Sequence, residues 1–158
     1  MNKQIEIIRN TRKYLFDFTA DLTVEELNEI PKGFNNNIIW NLTHLISTQQ
    51  SACYIRAGLK LAVEEKYFIG YKPDTKPDDY FDGAEVDKVK KMFLSTIHQL
   101  ESDYANNLFA NYIPWTNRYG VPIANIDEAL GFLPYHEGLH LGYVMALKRM
   151  IKNEKASS

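Results

Sequence analysis

Apolar side chains recur at helical spacing along four long stretches of this 158-residue chain. In the first stretch, Ile5, Ile8, Leu15 and Phe18 fall on one face of a helix with 3.6 residues per turn. Four amphipathic helices with little strand signal predict an all-α fold, namely a four-helix bundle. The second and third stretches show the same pattern in Ile38, Trp40, Leu42, Leu45, Ile46, Ala52 and Ile55, and in Val86, Val89, Phe93, Ile97, Leu100 and Tyr104.

A short extra helix is expected between the first two long ones. Residues 23–26, Thr-Val-Glu-Glu, form a capping box. In this motif the threonine side chain accepts a hydrogen bond from the backbone N–H of the second glutamate, and the side chain of that glutamate accepts one from the backbone N–H of the threonine. This box predicts a helix that begins at Thr23 and runs to about Ile30. Pro31 and Gly33 then end it.

Two long loops are predicted at residues 70–83 and 111–125, where proline, glycine, aspartate and asparagine are frequent. Pro134 falls inside the fourth helix and is expected to bend it or to mark a late start. Residues 1–152 are expected to form a single domain, followed by a flexible tail at 153–158. The later long helices are predicted from Asn36 or Asn37 to about Gly58, from about Ala84 to Leu108, and from about Asn125 to Lys152.

Charge and composition exclude several function classes. The formal net charge is -2 without a long basic run, which argues against a nucleic-acid-binding surface. No apolar run approaches the roughly 20 residues of a membrane span. The first residues lack the apolar core of a signal peptide, and one cysteine, Cys53, allows no internal disulfide. We therefore expect a soluble cytoplasmic protein.

The four histidines are the candidate metal ligands, because imidazole is the commonest metal-binding side chain near neutral pH. His136 and His140, in the motif HEGLH, lie about 40° apart on one helix face, one turn from each other. A catalytic metal site needs three protein ligands and an open position. His44 is the natural third ligand, because facing helices of a bundle bring side chains to one point. His98 points away from its apolar stripe and is expected at the surface or at its boundary with the core.

The alternative is that these histidines are hydrogen-bonded core residues. A lone buried histidine, as His44 would be, is more often structural than metal-binding. The pair His136 and His140 favours a metal, because two neighbouring imidazoles repel each other when protonated and each need a partner when neutral. Asn41 and Thr48 flank His44 at about one helical turn and are candidates for hydrogen bonds to the site.

HEGLH also matches the zinc-protease motif H-E-x-x-H, in which Glu137 would be the general base. A zinc protease takes its third ligand from downstream, but Glu154 is the only acid well past His140, and no substrate-binding strand is evident. The protease is therefore the weaker alternative, and the role of Glu137 stays open. Cys53 lies about 180° around the helix from His44, so we expect a small buried hydrophobe rather than a ligand or nucleophile.

Two separate histidine motifs make the chain resemble the DinB-like family. Residues 35–45, NNNIIWNLTHL, resemble its second-helix pattern N-x-x-x-W-x-L-x-H-L. Residues 136–142, HEGLHLG, with Leu-Lys-Arg at 147–149, resemble its fourth-helix pattern. The segment Leu-Thr-Val-Glu-Glu-Leu and the loop from Trp115 to Pro122 are also similar, so the resemblance covers nearly the whole chain. It departs at Tyr143, where many members have glutamine; this tyrosine is either a pocket residue or a core aromatic.

The resemblance implies a four-helix bundle that holds a divalent metal, nickel or zinc, through His44, His136 and His140. Members with a known activity transfer small thiols to electrophiles or hydrolyse small substrates. Expected partners are therefore a small-molecule substrate, with a low-molecular-weight thiol as one candidate, and a second copy of the chain in a homodimer.

Three hypotheses remain: a metal-dependent hydrolase or thiol transferase, a metal-binding or structural bundle without catalysis, and a zinc protease. Both enzyme mechanisms would use the same three ligands, so the sequence does not separate hydrolysis from thiol transfer. A pocket open above the histidines favours the enzyme. A site sealed by Trp40, Phe132 or Tyr143 favours the bundle without catalysis.

Overall fold

The computed structural model describes residues 2–158, and over these residues the regular secondary structure is helical apart from one two-stranded hairpin. The predicted all-α fold is confirmed. Within the described range, no helix has the length and apolar character needed to span a membrane. The elements in chain order are α1 (Lys3–Phe18), α2 (Val24–Asn28), α3 (Ile38–Gln49), α4 (Lys66–Ile69), α5 (Gly83–Ala105), β1 (Trp115–Thr116), β2 (Pro122–Ile123) and α6 (Ile126–Ala156).

Short polar side chains cap the helices where the sequence predicts. Thr23 and Glu26 form both hydrogen bonds of the capping box at the start of α2. Asn37, rather than Asn36, is the N-cap of α3, and its side chain accepts a backbone N–H bond from the first turn. Asn125 caps α6 in the same way. Each cap satisfies an N–H group that the helix itself leaves free, which contributes about 1 kcal/mol.

The second long helix ends near Gly58, as predicted, but its last turns are not α-helical. After α3, residues Gln50–Tyr54 form a π-helical segment and Ile55–Ala57 a 3₁₀ turn. Gly58 then ends the helix with φ of 69°, a left-handed conformation that glycine adopts without strain. Gln49 and Gln50, at the junction, are fully buried, and their amides bond to neighbouring segments.

The last helix is longer than predicted. It runs unbroken through Pro134, which neither ends it nor delays its start. The predicted end near Lys152 is too early, because residues 153–156 continue the helix. Lys155, in this extension, forms an ion pair with Glu26, whose side chain is only 4% exposed. The extension is therefore tied to the start of α2.

The four long helices pack so that α1 and α3 each lie against both α5 and α6. Their apolar stripes meet in the interior, as the periodicity predicts. The same packing turns the inner faces of α3 and α6 towards each other, and this brings the histidines of the two helices together. The buried core includes Ile5, Ile8, Leu15, Leu42, Ile46, Val89, Phe93, Ile97, Leu130, Leu133, Val144 and Leu147.

The loop before α6 contains a hairpin that the sequence did not predict. β1 pairs with β2 in antiparallel register, with Trp115 opposite Ile123. In the turn, the Asn117 side-chain oxygen accepts two backbone N–H bonds, and Gly120 has φ of 79°. Strands of two residues are too short to leave an alternating apolar pattern, so periodicity gave no signal here.

Candidate metal centre

The inner faces of α3 and α6 bring three of the four histidines together. One ligand nitrogen from each of His44, His136 and His140 lies within 4.8 Å of the others. The Nε2 atoms of His44 and His136 are 3.3 Å apart, and the ring centres of His44 and His140 are 4.7 Å apart. His98 is exposed on α5 and lies outside this cluster. The three residues singled out by spacing therefore share one site.

Hydrogen bonds to Nδ1 determine which nitrogen of two imidazoles faces the cluster. His44 Nδ1 donates to the backbone carbonyl of Tyr71 at 2.6 Å, and His140 Nδ1 donates to the Asn41 side-chain oxygen at 2.7 Å. The Asn41 amide nitrogen donates to two other oxygens, at 2.7 and 2.9 Å, which fixes the orientation of that side chain. Because Nδ1 carries the proton in both rings, Nε2 is left with its lone pair, as a metal ligand requires.

Burial holds the three imidazoles in their neutral form. Desolvation, followed by the charges of the neighbouring histidines, lowers the pKa of His136 to about 2. Desolvation, followed by His44, lowers the pKa of His140 to about 3. Desolvation also lowers the pKa of His44, although its bond to the Tyr71 carbonyl acts in the opposite direction. Near neutral pH the cluster is therefore a set of uncharged nitrogen donors.

The donor set fits a divalent metal ion. Two nitrogens that each lie about 2.0–2.1 Å from a tetrahedral zinc are about 3.3 Å apart, which is the separation of Nε2 in His44 and His136. Without a proton or cation between them, these two lone pairs repel each other. His136 Nδ1 is buried and has no hydrogen-bond partner within residues 2–158, so only contacts at its Nε2, which lies 3.3 Å from His44 Nε2, determine its tautomer. A cation at Nε2 would fix it.

A cavity of about 690 Å³ opens above the histidines, a volume typical of small-molecule sites. The Trp40 ring stacks on His44 at 4.8 Å with an interplanar angle of 9°, and the Phe132 ring lies 6.0 Å from His136. These rings flank the cluster without sealing it, because His44, His136 and His140 all line the cavity. Other walls include Thr48, Phe68, Lys72, Trp115, Arg118 and Tyr119.

A family model of the DinB superfamily matches residues 7–144. The chain belongs to the DinB superfamily. The match includes all three clustered histidines and most of the four long helices. Membership agrees with the resemblance that the two histidine motifs carry, and with a protein that binds a metal. No curated protein matches the chain.

Tyr143 is the position at which the chain departs from the DinB-like pattern. Its ring packs edge-on against Phe34, with ring centres 5.5 Å apart, and it joins the apolar core around α6. It is not part of the cavity wall. Of the two roles considered for this tyrosine, the structure therefore favours the core aromatic.

Asn41 and Thr48 both contact histidines, as their positions on the helix suggested. Asn41 supports His140 from behind, whereas the Thr48 hydroxyl lies 3.3 Å from His44 Nε2, on the cavity side. Cys53 is fully buried, and burial raises the pKa of its thiol to about 12. An uncharged buried thiol is a poor ligand and a poor nucleophile, in agreement with the structural role expected for Cys53.

Glu137 faces the interior of the bundle rather than the cavity. Its side chain is 2% exposed, and its Oε1 accepts hydrogen bonds from Arg12 Nη2 at 2.7 Å and Nε at 2.9 Å. Burial raises the pKa of Glu137, while Arg12 opposes the shift. A zinc protease needs this glutamate beside the metal as a general base. Because Glu137 is bound to Arg12 and does not line the cavity, the geometry gives no support to the protease alternative.

Arg12 is the main supporting residue that sequence reasoning missed. It is fully buried, and its guanidinium bonds Glu137 on α6, Gln49 on α3 and Thr96 on α5. It therefore connects α1 to the other three long helices. A signal was present in the sequence: Arg12 lies four residues after Ile8 on the apolar stripe of the first helix. A charge at such a position has to find partners in the interior.

Proposed function

We propose that this protein is a metal-dependent enzyme acting on a small molecule, with one zinc or nickel ion held by His44, His136 and His140. One observation carries the proposal: three neutral imidazoles converge at the floor of a cavity large enough for a substrate. The reaction is hydrolysis, or the transfer of a low-molecular-weight thiol to an electrophile, the two activities that the family resemblance implies.

A divalent ion held by His44, His136 and His140 would supply Lewis acidity, which would lower the pKa of a bound water or thiol. The chain's own residues prepare the site. The Tyr71 carbonyl and Asn41 hold the Nδ1 protons of two ligands, and Trp40 covers the face of His44. Once Nε2 of that histidine is a ligand, the Thr48 hydroxyl is free to hydrogen-bond a molecule in the cavity.

A bundle that retains a metal without turnover is the main alternative. Such a protein has no need for access to its metal, and its site is better sealed. The cavity above the cluster favours the enzyme, because a substrate can reach all three histidines there. Trp40 and Phe132 leave this access open, and Tyr143 lies outside the cavity.

Elemental analysis of protein purified without metal-affinity steps tests the metal site. We expect about one zinc or nickel ion per chain, and its loss in His44→Ala. The matched control is His98→Ala, which removes an exposed histidine outside the cluster and should leave the metal content unchanged. A wild-type protein that is empty and takes up neither added zinc nor added nickel would refute the proposal.

Turnover needs its own test on the metal-loaded protein. One assay follows hydrolysis of an activated ester or amide, and the other follows the conjugation of a small thiol to an electrophile. Wild type and His98→Ala should be active in at least one assay, and His44→Ala in neither. Full metal occupancy with no turnover across both classes would instead support the bundle without catalysis.

A further inference from the structure

The cavity above the histidines combines apolar walls with positive charge. Trp40, Trp115 and Phe132 supply aromatic surface, Lys72 and Arg118 bring cationic side chains from two different loops, and Asp74 is the acidic residue of the lining. Most small-molecule sites have this composition: apolar walls hold the body of the ligand, and a few polar groups orient it. The identity of the polar groups therefore indicates the chemistry of the ligand.

Arg118 lies in the turn between β1 and β2 and is near the metal cluster. It lines the same cavity as His44, His136 and His140. Its ion-pair partner is Asp74, at 3.7 Å, which is beyond hydrogen-bond distance. The two side chains are 58% and 89% exposed. An exposed pair of this kind contributes little to stability and is easily displaced by a better-placed anion.

Other cations already cover the aromatic walls of this region. The Arg56 guanidinium lies 5.0 Å from the centre of the Trp115 ring, and Lys72 Nζ lies 4.5 Å from the centre of the Phe68 ring. A cationic ligand would find one face of each of these two rings occupied and would meet like charges, including Arg118. A negatively charged ligand would instead be attracted by these cationic side chains.

We propose that the substrate is a small organic carboxylate, which binds Arg118 in place of Asp74 and lays its apolar body against Trp40, Trp115 and Phe132. The inference rests on the proposed function, because it takes the cavity above the histidines as the substrate site. The planar guanidinium presents two parallel N–H groups to the two oxygens of a carboxylate. Lys72 adds a second positive charge to the cavity lining.

Tryptophan fluorescence gives a direct test, because both tryptophans of the chain line this cavity. The probes are phenylacetate and its neutral analogue phenylacetamide, titrated into zinc-loaded and metal-free protein. We expect phenylacetate to bind about tenfold more tightly than the amide. Arg118→Gln should abolish this preference. The control Arg149→Gln makes the same charge change at an exposed arginine outside the cavity and should retain it.

Several outcomes would overturn the inference. Equal affinity of wild type for acid and amide would do so. A preference that survives in Arg118→Gln would also do so, since it would mean that another group, such as the metal, holds the carboxylate. Zinc content of the same samples separates the two proposals. Metal-free protein that prefers the acid through Arg118, but takes up neither zinc nor nickel, supports the anion site and refutes the metal enzyme. Zinc-loaded protein without the preference refutes the anion site and leaves the metal site standing.

Discussion

Arg12 and Glu137 form a buried ion pair, with Arg12 Nη2 2.7 Å from Glu137 Oε1 and side-chain exposures of 0% and 2%. The arginine also bonds to the backbone carbonyls of Leu45 and Phe93. Removal of one partner leaves the other as an unpaired charge in a low-dielectric interior, which costs about 3–5 kcal/mol. The pair therefore fixes α1 against the part of α6 that carries His136.

Arg12→Met is expected to lower the free energy of unfolding by about 3 kcal/mol or more, measured by urea denaturation near neutral pH. In the double variant Arg12→Met/Glu137→Leu no buried charge is left unpaired, so it should recover part of that loss. Arg149→Met, at an exposed arginine, should stay within about 0.5 kcal/mol of wild type. If Arg12→Met is as stable as this control, the pair does not stabilise the fold.

The hydrogen bond from His140 to Asn41 should strengthen metal binding. Asn41→Ala removes the acceptor that holds the Nδ1 proton of His140, so we expect zinc affinity to fall about 10–100-fold in a competition with a chelator. Asn106→Ala, at the exposed C-cap of α5, is the control and should bind zinc as wild type does. Unchanged zinc affinity in Asn41→Ala would mean that this hydrogen bond does not determine which nitrogen of His140 is available to the metal.

Features set by local sequence were predictable here. The capping residues Thr23 and Asn125 act on N–H groups within the next three residues, so their effect is visible in a short window. The pair His136 and His140 follows from helical geometry alone. The position of His44 beside this pair does not follow from local geometry, because it depends on how α3 packs against α6. It could be predicted only from the expectation of a helical bundle.

Features set by distant partners could not be predicted. Helical angle alone did not show which side of α6 Glu137 faces, because that depends on Arg12 from the other end of the chain. The cavity residues Trp115 and Arg118 come from a loop, where no periodicity indicates direction. Their hairpin depends on the Asn117 side chain and on two-residue strands, neither of which gives a pattern.

Glu26 should make stability fall at acid pH. The bond from Lys155, then the backbone N–H of Thr23 and then Lys152, lower the pKa of this carboxyl from 4.5 to about 2. A carboxyl with a lowered folded-state pKa stabilises the protein above its unfolded pKa, and the contribution is lost as pH falls towards the folded pKa. After a discount for the partly exposed lysines, the full contribution is about 2 kcal/mol.

Glu26→Gln tests this pH dependence through unfolding free energies measured from about pH 7 down to about pH 4. The variant should be about 2 kcal/mol less stable at the upper end, and the difference from wild type should begin to shrink below about pH 5. Glu65→Gln, at an exposed glutamate that makes no side-chain capping bond, is the control and should follow wild type throughout. A constant difference at every pH would show that the ionised form of Glu26 is not what stabilises the fold.

Cys53 offers a measure of how firmly the core around it is closed. It is the one cysteine of the chain and is 0% exposed, and burial raises its pKa to about 12. Thiol reagents react with the thiolate, so native protein near pH 8 should be labelled only through rare opening, whereas urea-unfolded protein should take up one label at once. If opening and closing of the core are at equilibrium before the thiol reacts, the labelling rate depends on the free energy of unfolding. A loss of about 3 kcal/mol of that free energy in Arg12→Met should then raise the labelling rate about 100-fold. The control Arg149→Met should leave the rate unchanged. Fast labelling of the native wild type would contradict a closed core around Cys53.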